Sequence, residues 1–155
     1  MNDHAASTMF LGTPELDRFS LRVVGYQFPQ ARRNCPYDRN WLILRGEVQC
    51  GDSQWTFEDP CLLTSELTEL IAWLQKPPQP GASIWFTEPL LLFEWSESDA
   101  GCLLVRLRAE ALPDEVCNGR AKFDPGITLN LHVSPTELDR FAATLEGDLM
   151  KFPAR

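Results

Sequence analysis

The sequence lacks most patterns that are typical of enzymes and of nucleic-acid-binding proteins. Only two of its 155 residues are histidines, and its nine glycines form no GxGxxG or GxxxxGKS phosphate loop. The 14 basic residues are outnumbered by 22 acidic ones, and the net charge of −8 argues against nucleic acid as a partner. No apolar run approaches the ~20 residues of a membrane span, and the first twelve residues show no secretion signal. We therefore expect a cytoplasmic protein that binds neither nucleic acid nor membrane.

The cysteines are odd in number and form no CxxC pair: Cys35, Cys50, Cys61, Cys102 and Cys117. This pattern argues against a disulfide framework and against a zinc site built from closely spaced ligands. A reducing cytoplasm is the simplest setting, in which thiols pack as small apolar residues. We expect no metal and no cofactor.

Alternating apolar residues predict strands, and two stripes with helical spacing predict helices. The predicted strands cover residues 16–26, 41–50, 54–59, 84–95 with a break at Pro89, 102–111 and 127–133. A helix is predicted over residues 64–76, capped by Thr64 or Ser65. A second helix is predicted to start at Pro135, because Ser134 and Glu137 form a capping-box pattern.

These elements predict an α+β fold, with a largely antiparallel sheet of about six to seven strands and two helices packed on it. We expect a flexible N-terminal tail over residues 1–15 and a single domain over residues 16–155. Strands followed by a helix occur twice, so residues 16–76 and 84–148 could be pseudo-repeats of a three-strand-plus-helix unit. The alternative, that any two capped amphipathic helices look this similar, stays open.

Few residues are candidates for catalysis. His132 alternates with apolar neighbours in a predicted strand. Its two possible roles are a general base and an ordinary hydrogen-bonded histidine of a strand. A Cys–His nucleophile would need a thiol beside it, and nothing in the sequence singles one out. Glu88 shares a predicted strand face with apolar residues, which favours a half-buried salt bridge to Arg106 or Arg108 over an acid/base role. We predict no catalytic residue.

Two loops are rich in acidic residues. One contains Glu94, Glu97 and Asp99, with Trp95 at the lip of a turn, and the other contains Glu110, Asp114 and Glu115. They could be ordinary solvated loops. The functional interpretation is an acidic docking surface for a basic protein, with Trp95 as its anchor, because such charges speed association.

Several motifs resemble those of WapI-type immunity proteins. They are YDRNWL at residues 37–42, Gly46, Trp55, DPCLLT at 59–64 with Glu66-Leu67, Trp73-Leu74, FTEP at 86–89 and FPAR at 152–155. The resemblance covers about residues 16–155. It implies a small cytoplasmic antidote, without catalytic activity, that binds and blocks a toxin domain, often a basic nuclease. The alternatives are a small enzyme using Glu88 or His132, and a structural or self-associating subunit.

Overall fold

Each half of the chain forms its own antiparallel sheet and ends in a long helix. The computed structural model describes residues 8–32, 34–117 and 126–155, and within them the first sheet has the strand order β1-β2-β3-β4 and the second β5-β6-β7-β8. The elements are β1 (Leu11–Gly12), β2 (Asp17–Tyr26), α1 (Pro36–Arg39), β3 (Trp41–Cys50), β4 (Ser53–Leu63), α2 (Thr64–Gln75), β5 (Ser83–Trp85), β6 (Leu91–Trp95), β7 (Cys102–Leu107), a 3-10 turn (Ala109–Ala111), α3 (Asp114–Cys117), β8 (Ile127–His132) and α4 (Pro135–Lys151).

The α+β class is confirmed, but two sheets replace the single sheet that was expected. The connector over residues 77–82 contains three prolines, which lack the N–H that a strand ladder needs. Helix α2 also separates β4 from β5. In both halves consecutive antiparallel strands precede a helix, and the origin of the halves by duplication stays a prediction.

The expected N-terminal tail contains structure within the described residues. Strand β1 pairs with Phe19 and Arg18 of β2, and Leu11 is completely buried. The part of the tail over residues 1–7 lies outside the described residues. The packed part of the chain therefore begins before residue 16.

Several strand ends differ from the sequence-based boundaries. Strand β3 has the predicted bounds, whereas β4 continues to Leu63. The segment over residues 84–95 is two strands, with Pro89 in the loop that joins them. Strand β7 stops at Leu107 because the chain then enters the 3-10 turn, where Ala109 adopts a φ of +51°.

The two long helices begin differently. The expected cap of α2 at Thr64 or Ser65 is wrong, because Leu63 occupies the N-cap. The Leu63 side chain has no hydrogen-bond acceptor. Only the Glu66 carboxylate closes the turn, by accepting the N–H of Leu63 at 2.9 Å. The capping box of α4 is confirmed, because Glu137 N–H donates to Ser134 Oγ and Ser134 N–H donates to the Glu137 carboxylate.

Both sheets and α4 share one hydrophobic core. The ring of Phe19 in β2 lies 6.1 Å from that of Phe93 in β6 and 6.5 Å from that of Phe141 in α4. All three side chains are at most 1% exposed. Asp17 adds a polar link, since one carboxylate oxygen accepts the N–H of Gly51 in the first sheet and the other accepts the N–H of Asn130 in β8. The two halves are therefore packed as one unit.

Arg155 fixes the long segment between β2 and β3. Its guanidinium donates to the carbonyl oxygens of Phe28, Pro29 and Arg39 and stacks over the Tyr26 ring at 3.9 Å. The FPAR motif therefore holds the segment that precedes the DRNWL motif.

No helix within the described ranges combines the length and the apolar character needed to cross a bilayer.

Candidate functional site

The first acidic loop forms the turn between β6 and β7, and we call Glu94, Glu97 and Asp99 the hairpin patch. Glu94 is half-buried in β6 opposite Ser83, whereas Glu97 and Asp99 are exposed. The side chain of Glu97 lies over Gly81, whose φ of +79° suits glycine. The patch is thus built on a turn that the two strands hold in place.

The second acidic loop lies at the other end of β7. Glu110 is in the 3-10 turn, Asp114 and Glu115 are in α3, and all three are exposed. Six strand residues separate the two loops, which corresponds to about 20 Å. The acidic residues predicted to form a docking surface are therefore not brought together, and they form two separate groups.

Two further carboxylates join Glu110, and we call Asp59, Glu88 and Glu110 the acidic end. Burial raises the pKa of Asp59 above its ordinary value, and the negative charges of Glu110 and then Glu88 raise it further. Glu110 and Glu88 therefore repel the carboxylate of Asp59 in the folded protein. Asp59 was not among the site residues predicted from the sequence, although it follows Trp55 and Phe57 at a period of two and so shares their face of β4.

The expected half-buried salt bridge of Glu88 is wrong. Glu88 is exposed and lies in the loop between β5 and β6, because strand β5 already ends at Trp85. Within the part of the chain that the structure describes, no ion pair joins Glu88 to Arg106 or Arg108. Glu88 also lies at the opposite end of the second sheet from His132, so these two residues do not form a shared catalytic site.

A buried carboxylate positions the loop that contains Glu88. Glu66 of α2 is 8% exposed, and one of its oxygens accepts hydrogen bonds from the N–H of Thr87 at 2.7 Å and from the Thr87 hydroxyl at 2.6 Å. The other oxygen accepts the N–H of Leu63. The start of α2 therefore fixes the loop that contains Glu88.

The exposed tryptophan is Trp85, not Trp95. The Trp95 side chain is 3% exposed and stacks on Trp73 with ring centroids 5.9 Å apart, which does not fit a role as a binding anchor. Trp85 is 73% exposed on the outer face of the second sheet, opposite Leu92. The signal was present in the sequence, since Trp85 alternates with Ile84 and Phe86, which face inward.

An apolar groove adjoins the acidic end. It has a volume of about 280 Å³, and its lining includes Trp85, Phe86, Pro89, Leu92 and Arg108. The loop over residues 86–90 contributes to the groove and also contains Glu88. An exposed aromatic ring, a shallow apolar groove and a group of like charges thus lie side by side.

The other end of the second sheet holds a group that could bind a cation. Ligand atoms of Asp99, Cys102 and His132 all lie within 4.8 Å of one another, and His132 Nε2 is 2.8 Å from Asp99 Oδ2. Burial raises the pKa of the Cys102 thiol, and the charge of Asp99 raises it further. This favours the neutral thiol, so the arrangement does not activate Cys102 as a nucleophile.

Comparison with known protein families finds a match. Residues 9–153 match the family model described as the immunity protein WapI-like family. No curated protein and no solved structure matches the chain significantly.

Proposed function

Since the chain belongs to the WapI-like immunity protein family over nearly its whole length, we propose that it neutralises a bacterial toxin domain by binding to it and blocking its active site. The family match is the observation that carries this proposal. The cognate toxin is a basic protein, a nuclease domain, and the complex forms in the cytoplasm of the cell that the immunity protein protects.

The charge of the chain supports a basic partner. Its net charge of −8 attracts a positively charged protein at long range and raises the association rate at low salt. Nuclease active sites must bind phosphates and therefore tend to be positively charged. An acidic inhibitor that covers such a site competes directly with the nucleic acid.

The acidic end is the surface we propose for close contact. Glu110 and Glu88 repel Asp59 in the free protein and, together with burial, raise its pKa. A Lys or Arg of the toxin placed between them would remove that repulsion, so the site favours a cation from the partner. Asp114 and Glu115 follow Glu110 along the chain and would form the rim of this interface.

Trp85 supplies the apolar part of the proposed interface. Tryptophans are frequent among the few residues that dominate binding free energy, particularly when charged or polar residues surround them. With 73% of its surface exposed beside an apolar groove, Trp85 has both the accessible area and a neighbouring cleft. The exposed residues of the hairpin patch, Glu97 and Asp99, lie in the turn at the other end of β7 from Glu110 and contribute to long-range attraction.

The proposed action requires no catalysis. Burial and the charge of Asp99 raise the pKa of the Cys102 thiol, which disfavours the thiolate that a nucleophile needs. His132 and Glu88 lie at opposite ends of the second sheet. Self-association is a separate question, which light scattering of the purified protein answers. A monomer in solution fits one-to-one blocking of a toxin domain.

Growth rescue tests the proposal. In cells that produce the toxin domain encoded beside this protein, co-expression of the wild-type protein should restore growth. The double variant Glu88→Lys/Glu110→Lys should restore growth poorly. The matched control is Asp139→Lys/Glu146→Lys, which makes the same change in net charge on exposed positions of α4. Equal rescue of growth by both double variants would show that the acidic end is not part of the interface. Failure to rescue against every adjacent toxin candidate would contradict the proposed function.

A further inference from the structure

We propose that Asp99, Cys102 and His132 form a binding site for a zinc ion. A carboxylate oxygen, a thiol sulfur and an imidazole nitrogen approach one another to within 4.8 Å at the end of the β6–β7 hairpin. This proposal does not depend on the toxin-binding function.

The backbone holds the three ligands in place. Cys102 in β7 and His132 in β8 are directly opposite each other in the strand register. Asp99 lies in the turn that leads into β7, where its carbonyl oxygen accepts the N–H of Cys102 at 3.1 Å and its own N–H donates to Ser96 Oγ at 3.1 Å. The main chain therefore needs no rearrangement to bring the ligands together.

The ligand types select the metal. Thiolate and imidazole favour zinc and other late transition metals, whereas calcium and magnesium prefer oxygen ligands throughout. In a tetrahedral zinc site, bonds of roughly 2.0–2.3 Å place the ligand atoms about 3.5 Å apart. The Asp99 and His132 side chains are 55% and 54% exposed, so their pair, now at 2.8 Å, is free to open by the roughly 0.7 Å that a separation of about 3.5 Å requires.

Charge balance supports a divalent cation. On binding, the thiol of Cys102 releases its proton to solvent and forms a sulfur–zinc bond. The carboxylate and the thiolate then neutralise the two positive charges of the ion, and neutral His132 binds through Nε2. With three protein ligands, a fourth position stays open to water. The bound ion would connect the hairpin turn to β8, two residues before the Ser134 N-cap of α4.

Cobalt titration of the metal-free, reduced protein tests the site. We expect one Co²⁺ to bind with thiolate-to-cobalt charge-transfer absorption, and Zn²⁺ to displace it and raise the melting temperature. Cys102→Ser should abolish the absorption. Cys50→Ser should leave it unchanged and is the matched control. Cys50 also has a carboxylate neighbour, Asp17, but belongs to no such cluster among the residues that the structure describes.

If Cys102→Ser does not fold, His132→Gln provides a second test of the site, because His132 is exposed. This variant should weaken Co²⁺ binding by at least about tenfold. Absence of thiolate–cobalt absorption in the folded wild-type protein would overturn the proposal. The same conclusion follows if His132→Gln binds Co²⁺ as tightly as the wild type does.

Discussion

Asp148 of α4 accepts two hydrogen bonds from the guanidinium of Arg22 in β2, at 2.7 and 2.8 Å, across 126 positions of sequence. The same carboxylate accepts the N–H of Val23 at 3.0 Å. Strand β1 pairs only with Phe19 and Arg18, so Val23 lies where β2 forms the edge of its sheet. Asp148 is 2% exposed and thus serves as a buried partner for a strand edge that would otherwise be open.

Asp148→Asn should lower the free energy of unfolding by about 2–3 kcal/mol. The amide that replaces the carboxylate removes the ion pair and leaves donors of Arg22 or Val23 without an acceptor. The loss stays below that of a fully buried pair because the Arg22 side chain is 31% exposed. Urea unfolding measures the change. Asp139→Asn, at an exposed position of the same helix, should cost less than about 0.5 kcal/mol.

Gly46→Ala should destabilise the protein by about 1–3 kcal/mol. A Cβ at this position would lie 2.2 Å from the nearest atom of the Phe57 ring, which is 6% exposed and has little room to move. Gly25→Ala is the control, because no described atom beyond its own chain neighbours lies within 4 Å of its added Cβ. Equal unfolding midpoints for the two variants would contradict the close packing of Phe57 on Gly46.

The strands and helices could be predicted from local patterns, whereas their grouping could not. The period of two in β3 and the capping box of α4 are local, and both predictions are confirmed. The division into two sheets depends on which strands pair, and the observed pairing joins strands only within each half of the chain. Phe19, Phe93 and Phe141 pack the two sheets and α4 together through contacts that no local pattern shows. The cap of α2 was predicted wrongly because the N-cap residue, Leu63, has no capping side chain. Its N–H instead donates to the carboxylate of Glu66, three residues further along the chain.

Asp59→Asn should raise stability at pH 7 by a few tenths to about 1 kcal/mol, since solvent screens part of the repulsion. The folded protein holds the Asp59 proton more tightly than the unfolded chain, because burial, Glu110 and Glu88 raise its pKa. The resulting penalty is complete above the raised pKa and disappears as the pH falls below the ordinary value of 3.8.

Urea unfolding of both proteins at pH 7 and at about pH 4 checks this sign. The advantage of Asp59→Asn should be smaller at the lower pH. A variant that is less stable than the wild type at pH 7 would show that Asp59 is not repelled by its neighbours. If the acidic end binds the toxin, the same substitution should also slow association, so stability and binding should change in opposite directions.

Trp85→Ala should leave folding intact and weaken toxin binding by about 2 kcal/mol or more, roughly a 30-fold rise in Kd. The side chain is 73% exposed, so its removal creates no cavity. Met150→Ala is the control, since Met150 is 83% exposed on α4 and outside the proposed interface. Calorimetric titration with an inactive toxin domain gives both values, and an unchanged Kd for Trp85→Ala would exclude Trp85 as an anchor.

The candidate surfaces differ in how far the sequence could reveal them. Alternation alone places Trp85 on the outer face and Asp59 beside Phe57, so both could have been found. The approach of Cys102 to His132 could not, because it depends on the register of β7 against β8 across 30 residues of sequence. The separation of the two acidic loops could also have been found, because a single strand, β7, lies between them in the sequence.

Binding kinetics of the purified chain with the toxin domain encoded beside it test the central claim most directly. We predict an equimolar complex whose association rate falls as salt rises, and a bound toxin whose activity on nucleic acid is lost. No complex with any adjacent toxin domain, at low or physiological salt, would contradict the claim that this acidic protein acts by covering a basic partner.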